Sequence, residues 1–270
     1  MSTANGINNK GQVVGYVQTP YGDPTQAWAF IYWNGQLRRL PTPSGDGSVA
    51  YAINDAGMAV GRLIVPAHGA VPTQSIPVEW RGNSFTRVLT ELTAQVGPAA
   101  AAAINARGDI AGYALESADL DAGAVEFGEY VVNGHAFVDH ADFYAINDKG
   151  QVLGITNTGD QRVYSNGRSL PAFDPSLQPE FPSVSALDNA GEFVASIQSR
   201  NYSSVYDGSY HALALLGGQL IDPNFALING GGWSVGTAKG VNDRGWIAAN
   251  GTTPAGEFHA ILLVPDTAEN

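Results

Sequence analysis

The chain has 270 residues, of which 25 are acidic and 13 basic, and its formal net charge is −12. A nucleic-acid partner or an anionic membrane surface needs a basic footprint, which this composition lacks. No apolar run approaches the ~20 residues that a membrane-spanning helix needs, so we expect neither nucleic-acid binding nor membrane insertion. Cysteine is absent, which excludes disulfides, a thiolate nucleophile and a Cys-based zinc site. With 33 Gly, 15 Pro and few helix-forming stretches, the composition favours many short strands joined by turns.

An internal repeat organises the chain from its first residues to its last. Six ten-residue segments align without gaps: GINNKGQVVG (6–15), AINDAGMAVG (52–61), AINARGDIAG (103–112), AINDKGQVLG (145–154), ALDNAGEFVA (186–195) and GVNDRGWIAA (240–249). Each segment predicts a tight hairpin, because Asn or Asp can bond nearby main-chain amides and the following Gly can take a left-handed conformation. We name the strands on either side of this hairpin a and b.

A second apolar segment follows each hairpin, and it predicts two further strands, c and d. Pairs such as Asn34-Gly35, Asn166-Gly167 and Gly217-Gly218 divide it, and such pairs favour two-residue turns. After the third hairpin the segment is read as HAFVDHADF, with His135 in strand c and the fourth strand unclear. His135, His211 and His259 are then expected at matching repeat positions, where a structural role is the simplest interpretation.

Four strands in each unit of about 40–50 residues predict an all-β fold, a six-bladed β-propeller of four-stranded antiparallel blades. One blade cannot cover its own apolar faces, whereas neighbouring copies can. We expect a single propeller domain over 1–270, with repeats that begin near residues 4, 48, 99, 142, 183 and 234. The last blade has three recognisable strands, unless sequence upstream of this chain supplies a fourth. A parallel β-helix is the main alternative architecture.

The repeat, with His-Ala-Phe written out at 135–137, resembles the HAF-repeat family, whose members are expected outside the cell. The resemblance covers nearly the whole chain, although Pro77-Val78-Glu79-Trp80 replaces His-Ala-Phe in the second unit and Asp188 replaces Asn in the fifth. It implies a β-propeller-like repeat protein of the cell envelope or exterior and says almost nothing about activity. No leader peptide is visible at residues 1–5, so a cytoplasmic location stays open.

The strand order sorts the connections between strands. The a–b and c–d turns are short, whereas the long segments are all b–c or d–a connections: 17–26, 63–75, 114–134, 171–183, 197–210 and 222–233. Long loops on a rigid scaffold are where binding and catalytic residues concentrate. We therefore expect a ligand site at the end of the blades that carries these loops.

Aromatic and polar side chains on three of these loops form the first candidate site. An aromatic ring can pack against the C–H face of a sugar while amides and charges bond its hydroxyls. The predicted ligand-binding residues are Tyr21, Asp23, Arg200, Tyr202, Tyr206, Asp207 and Trp233. The alternative is that these aromatic rings only fasten the loops to the blades.

The catalytic and metal candidates are fewer. His68 breaks the repeat and could shuttle a proton near neutral pH, with Tyr202 as another base and Arg200 holding an acidic group. Asp119 and Asp121, in the acidic segment 114–134, could hold calcium, although the remaining EF-hand ligand spacing is missing. A solvated loop is the simpler interpretation of both features. No motif indicates another cofactor or metal.

Three functions are compatible with this pattern. The first is a propeller that binds a carbohydrate or another polar extracellular molecule through its long loops. The second is a polysaccharide lyase or glycoside hydrolase that uses the same end of the blades, and the third is a protein-interaction scaffold. Propellers host all three classes, so the fold cannot choose between them, and the sequence leaves the oligomeric state undetermined.

Overall fold

The computed structural model of the chain describes residues 2–18, 23–69, 71, 73–89, 99–115, 126–156, 158, 160–171, 183–198, 210–228 and 230–266. Regular structure in these ranges is almost entirely β-strand, and none of their helices is long and apolar enough to cross a membrane. By its internal contacts the chain divides into two compact units, Met1–Val152 and Leu153–Asn270.

The strands form six antiparallel sheets in which sequence neighbours are also spatial neighbours. Blade 1 consists of β1 (Ser2–Ile7), β2 (Val13–Val17), β3 (Trp28–Trp33) and β4 (Gln36–Arg39). Blade 2 consists of β5 (Gly47–Ile53), β6 (Met58–Val65), β7 (Gln74–Arg81) and β8 (Ser84–Arg87). Blade 3 consists of β9 (Ala99–Ile104), β10 (Ile110–Leu115), β11 (Glu126–Val132) and β12 (His135–Asp139).

The remaining blades follow the same order. Blade 4 consists of β13 (Ala141–Ile146), β14 (Val152–Thr156), β15 (Gln161–Ser165) and β16 (Arg168–Pro171). Blade 5 consists of β17 (Ser183–Leu187), β18 (Phe193–Gln198), β19 (Tyr210–Leu216) and β20 (Gln219–Ile221). Blade 6 consists of β21 (Ser234–Val241), β22 (Ile247–Thr252) and β23 (Phe258–Leu263). A 3₁₀ turn (Pro24–Gln26) and a one-turn helix α1 (Pro223–Ala226) lie in connections.

This arrangement confirms the fold class predicted from the repeat, a six-bladed β-propeller whose last blade has three strands. In the five four-stranded blades the a–b and c–d turns lie at one end of the sheet, and the a–b turn of blade 6 lies at the corresponding end. The b–c and d–a connections lie at the other, which we call the loop-bearing end. The first strand of each blade begins within two residues of the predicted repeat start.

The structure corrects the interpretation of blade 3. Residues 126–132, which the sequence places in a long loop, form strand c, and Glu129 in that strand is buried. Asn133 and Gly134, both with positive φ, make the c–d turn, so His135 begins strand d. His211 and His259 lie in strand c of their blades, and the three His residues therefore do not occupy one repeat position.

The repeat asparagine folds the a–b hairpin. In all six blades the main-chain N–H of this residue donates to the carbonyl four residues on, and its carbonyl accepts from the turn glycine, at 2.7–3.2 Å. Its side-chain Oδ1 accepts from the N–H groups two and four residues on. The glycine has φ of 70–89°, a conformation that L side chains rarely adopt. Each repeated segment therefore forms a turn that is capped by the side chain of its own Asn or Asp.

The same side chain also joins neighbouring blades of the first unit. Nδ2 of Asn8 donates to the carbonyl of Asn54, Nδ2 of Asn54 to that of Asn105, and Nδ2 of Asn105 to that of Asn147, at 2.9–3.0 Å. We call this series the asparagine ladder. It links the equivalent turns of four successive blades, with one side-chain hydrogen bond between each turn and the next.

The hydrophobic cores lie between blades. Val14 and Ala29 of blade 1 pack with Ala50, Val78 and Trp80 of blade 2. Similar clusters join blade 2 to blade 3 and blade 5 to blade 6. A lone blade would expose these side chains, which is the physical reason that the unit is repeated.

Candidate functional site

Most of the predicted binding residues lie outside the described residues. These are Tyr21, Arg200, Tyr202, Tyr206 and Asp207, together with the calcium candidates Asp119 and Asp121. Among the residues that the structure does describe, no three His, Asp or Glu side chains come together as a metal site. The remaining predicted residues are Asp23, His68 and Trp233.

Asp23 acts within its own loop, whereas Trp233 packs against the strands of blade 6. Asp23 caps the 3₁₀ turn by accepting from the N–H of Thr25 at 2.8 Å. Hydrogen bonding with the Thr25 side chain, and then with its N–H, lowers the pKa of the Asp23 carboxyl. Trp233 packs against His259, with ring centroids 5.6 Å apart, and lies beside Gly251. The loop-fastening interpretation accounts for the contacts of both side chains.

His68 lies at the tip of the b–c connection of blade 2. Its main chain exchanges two 3.0 Å hydrogen bonds with Val71 in a small bridge, and its side chain is exposed. The loop that carries the His68 imidazole is therefore held by main-chain hydrogen bonds. None of the described contacts places a second catalytic group beside it.

A cavity of about 210 Å³ lies between blades 1 and 2 at the loop-bearing end. Its polar lining comes from the innermost strands and from the first b–c connection: Thr3, Asn5, Tyr16, Gln18, Tyr51 and Arg62. Pro24 of the 3₁₀ turn also lines it. The cap supplied by Asp23 therefore orders one edge of this cavity.

A β-bulge places two of these residues. β1 and β2 pair with one extra residue, Asn5, and β5 and β6 pair with one extra residue, Tyr51. The same bulge recurs three residues before the repeat amide position at Ala102, Ser185 and Lys239. A bulge turns its extra residue away from the regular alternation of the strand, and bulges are frequent beside functional sites. The repeated scaffold thus carries one variable position in a fixed, unusual geometry.

Arg62 follows Gly61, the last residue of the repeat segment, on β6 and lines the cavity together with Tyr16 and Tyr51. Burial raises the pKa of the Tyr51 hydroxyl, while the Arg62 guanidinium acts in the opposite direction and Tyr16 adds to the rise. Burial likewise raises the pKa of Tyr113, where Tyr51 adds to the rise and Arg62 opposes it. These side chains share one electrostatic environment, which we call the Tyr–Arg cluster: Tyr16, Tyr51, Arg62 and Tyr113.

The cluster continues into blade 4. The rings of Tyr113 and Tyr144 are 5.5 Å apart and tilted by 42°, and the hydroxyl of Tyr144 donates to Asp142 at 2.7 Å. Asp142 is buried and adds to the raised pKa of Tyr113. Aromatic faces and polar groups from four successive blades of the first unit are therefore neighbours.

Arg62 is the unusual member of the Tyr–Arg cluster. Its Nε is shielded from solvent and has no hydrogen-bond partner among the described residues, nor does Arg62 form an ion pair within them. An unsatisfied buried donor costs about 1–3 kcal/mol. A ligand that brought an acceptor into the cavity would remove that cost.

The sequence interpretation does not include the Tyr–Arg cluster, although the repeat carries a usable signal. The residue after the repeat glycine position is Tyr16, Arg62, Tyr113, Ile155, Ser196 and Asn250 in turn. The position before it is Gly in four units and Ala in two, so the variation of this position marks a side chain that the scaffold does not need. The bulge position, which holds Asn5 in blade 1 and Tyr51 in blade 2, also varies from unit to unit and is a second signal of this kind.

Comparison with solved structures supports the fold class. The chain is similar to a structure of YCF48 bound to D1 peptide, with a TM-score of 0.52 and 12% identity over 100% of this chain and 80% of that one. It is also similar to a structure from an analysis of two prolyl endopeptidases, with a TM-score of 0.51 and 14% identity. That match covers 99% of this chain but only 47% of the endopeptidase chain.

No protein-family model matches the sequence, and no curated protein matches it. At 12% and 14% identity the structural likeness establishes the fold and nothing about ligands. The class that the fold defines is therefore the β-propeller.

Proposed function

We propose that this protein is a binding module that takes a carbohydrate at the loop-bearing end of its propeller. The observation that carries the proposal is the cavity between blades 1 and 2, where Tyr16, Tyr51 and Arg62 stand beside hydroxyl and amide side chains. Tyrosine rings pack against the C–H faces of sugars, and amides and a guanidinium bond their hydroxyls.

The size of the cavity limits what it can hold. Pockets for drug-sized ligands measure roughly 300–1,000 Å³, and this one measures about 210 Å³. It therefore suits one sugar ring, with the rest of a longer glycan lying over the loops. Tyr21 follows Gln18 by three positions and belongs to the loop next to the cavity, so it stays a candidate for that outer contact.

Two alternatives rest on weaker ground. For a lyase or hydrolase, the described contacts of His68 supply no partner group, and Arg200 and Tyr202 lie outside the described residues. For a protein-interaction scaffold, the similar YCF48 structure holds a D1 peptide, but a likeness of 12% identity does not extend peptide binding to this chain. Export from the cell follows only from the resemblance to the HAF-repeat family.

The test is a glycan array followed by calorimetric titration of the bound glycans. We expect binding that Tyr16→Ala weakens at least about tenfold, a loss of about 1.4 kcal/mol. Tyr32→Ala is the matched control, because Tyr32 is an exposed tyrosine of the same blade outside the cavity. An array without a single bound glycan would reject the proposal.

The same preparations distinguish a binder from an enzyme. Each bound glycan is incubated with the protein, and new reducing ends and unsaturated products are followed. Products that disappear in His68→Ala or Tyr202→Phe would replace the binding function with catalysis. Binding without turnover, at equal affinity in both variants, is the expected result.

A further inference from the structure

We infer that the cavity between blades 1 and 2 recognises a carboxylate, and that its ligand is a saccharide ending in a single uronate. This inference rests on the proposed function and specifies the substrate class of the same site. It starts from Arg62, whose main chain is fixed in the centre of blade 2 by pairing with Val49 of β5 and Pro77 of β7.

The charge distribution of the cavity favours an anion. Among the described residues, its lining includes Arg62 and no Asp or Glu. Within the described residues, the four ion pairs involve other cations, namely Arg81, Arg107, His211 and His259. Arg62 therefore has no ion-pair partner among the described residues and carries a shielded Nε–H that none of them uses.

The geometry of a carboxylate matches this unused donor. The guanidinium presents paired N–H groups in a plane, and a carboxylate accepts two of them in parallel. A sugar hydroxyl would satisfy one N–H and leave the charge unpaired. The unsatisfied Nε–H thus selects a planar anion over a neutral hydroxyl.

The rest of the lining selects a sugar ring that carries this anion. Tyr16 and Tyr51 provide apolar ring faces, and Thr3 and Gln18 provide hydrogen-bonding groups beside them. The net charge of −12 repels a polyanion, so a chain of uronates is disfavoured. A single terminal uronate would place one carboxylate on Arg62 without making the ligand a polyanion.

The experiment titrates the intact chain with methyl glucuronoside, its methyl ester and methyl glucoside. Charge-assisted hydrogen bonds contribute enough that we expect the free acid to bind at least about tenfold more tightly than either neutral ligand. Arg62→Gln should remove this preference, and Arg62→Lys should keep part of it because the charge remains. Arg38→Gln, an exposed arginine on β4, should leave the preference unchanged. Thermal melts serve as the control that each variant is folded.

The outcomes separate this inference from the proposed function. Equal binding of acid, ester and glucoside, unchanged in Arg62→Gln, would overturn the uronate assignment and leave carbohydrate binding standing. If none of the three glycosides binds and a short peptide with a free terminal carboxylate does, both the uronate and the carbohydrate fail. An acid preference that follows Arg62 supports both.

Discussion

The side-chain amide of Asn54 donates a 3.0 Å hydrogen bond to the main-chain carbonyl of Asn105, 51 residues further along the chain. Both residues are buried at the same point of adjacent blades. Oδ1 of Asn54 simultaneously accepts from the N–H groups of Ala56 and Met58 at 3.1 Å. One side chain thus closes its own hairpin and fastens it to the next.

We predict that Asn54→Ala lowers the free energy of unfolding by about 2–3 kcal/mol, or the Tm by about 5–10 °C. The variant loses the cap and leaves the carbonyl of Asn105 without this donor. Thermal and urea unfolding measure the change, and the exposed Asn83→Ala in a c–d turn is the control. Equal stability of the two variants would show that the asparagine ladder contributes nothing.

Asp188 occupies the repeat amide position in blade 5 and is buried. Its Oδ1 accepts from the N–H groups of Ala190 and Glu192, at 2.8 Å each. Burial raises the pKa of the Asp188 carboxyl, and the nearby carboxylates of Glu192 and Asp243 add to the rise while the two N–H groups oppose it. A group with a raised pKa favours folding when protonated, and this contribution is lost as pH rises through that pKa.

We therefore predict that Asp188→Asn stabilises the protein at neutral pH. The amide keeps the Oδ1 acceptor, carries no charge into the buried site and supplies an Nδ2 donor like those of Asn54 and Asn105. The gain should grow as pH rises from about 4 to 7 and vanish below about pH 4. Urea unfolding at several pH values measures it, and a gain that is constant with pH would contradict the electrostatic explanation.

How far the sequence predicts this structure depends on what each residue does. The repeated Asn-x-x-Gly segment predicts the a–b hairpin, because the turn needs only residues within it: the side-chain cap of Asn54 and the positive φ of Gly57. The link from Asn54 to Asn105 is not local, and no spacing in the sequence says which carbonyl receives the amide. The sequence-based assignment of blade 3 is wrong because Asn133-Gly134 stands directly before His135, so the HAF segment belongs to strand d although it resembles strand c elsewhere.

The candidate site is harder to predict than the fold. Length and aromatic content point to the long loops, where Tyr21, Tyr202 and Arg200 stay predictions. The Tyr–Arg cluster instead lies on the strands, where Tyr51 is displaced by a bulge at a fixed distance from the repeat amide position, and only the structure shows that this position is bulged. The variable position after the repeat glycine is the available clue to Arg62.

A second link between blades involves the residue after the repeat amide position. Asp55 accepts from the main-chain N–H of Asn9 at 2.8 Å and from its side chain at 2.7 Å. These bonds lower the pKa of the Asp55 carboxyl, with a further contribution from Lys10. Asn189 and Asp243 form the same pair in the second unit. The link therefore recurs with its geometry intact.

We predict a coupling of about 0.5–1 kcal/mol between Asn9 and Asp55 in a double-mutant cycle of Asn9→Ala and Asp55→Ala. The exposed position keeps the value small, and added salt should reduce it. Because the carboxylate is the form that accepts, the coupling should be present at about pH 7 and lost as pH falls through the lowered pKa. A coupling that persists in strong acid would contradict this account.

The last prediction concerns the repeat glycine Gly61, which lies opposite the bulge. A Cβ added to Gly61 would lie 2.0 Å from the carbonyl oxygen of Val49 and 3.0 Å from the ring of Trp80. Gly61→Ala should therefore lower the free energy of unfolding by at least about 2 kcal/mol, because backbone must move to admit the methyl group. Gly240→Ala is the matched control, since its Cβ would meet nothing closer than 3.9 Å.

Urea unfolding followed by tryptophan fluorescence compares the two variants directly. The control should be neutral or slightly stabilising, because alanine restricts the unfolded chain more than glycine does. Gly15 and Gly112 approach a main-chain carbonyl oxygen just as closely, at 1.9 Å and 2.2 Å, whereas blade 5 carries Ala195 at this position. The expected loss in Gly61→Ala therefore comes from the close approach of Val49 and Trp80 and not from a need for glycine in every blade. An equal loss in Gly61→Ala and Gly240→Ala would show that this close approach does not limit the blade.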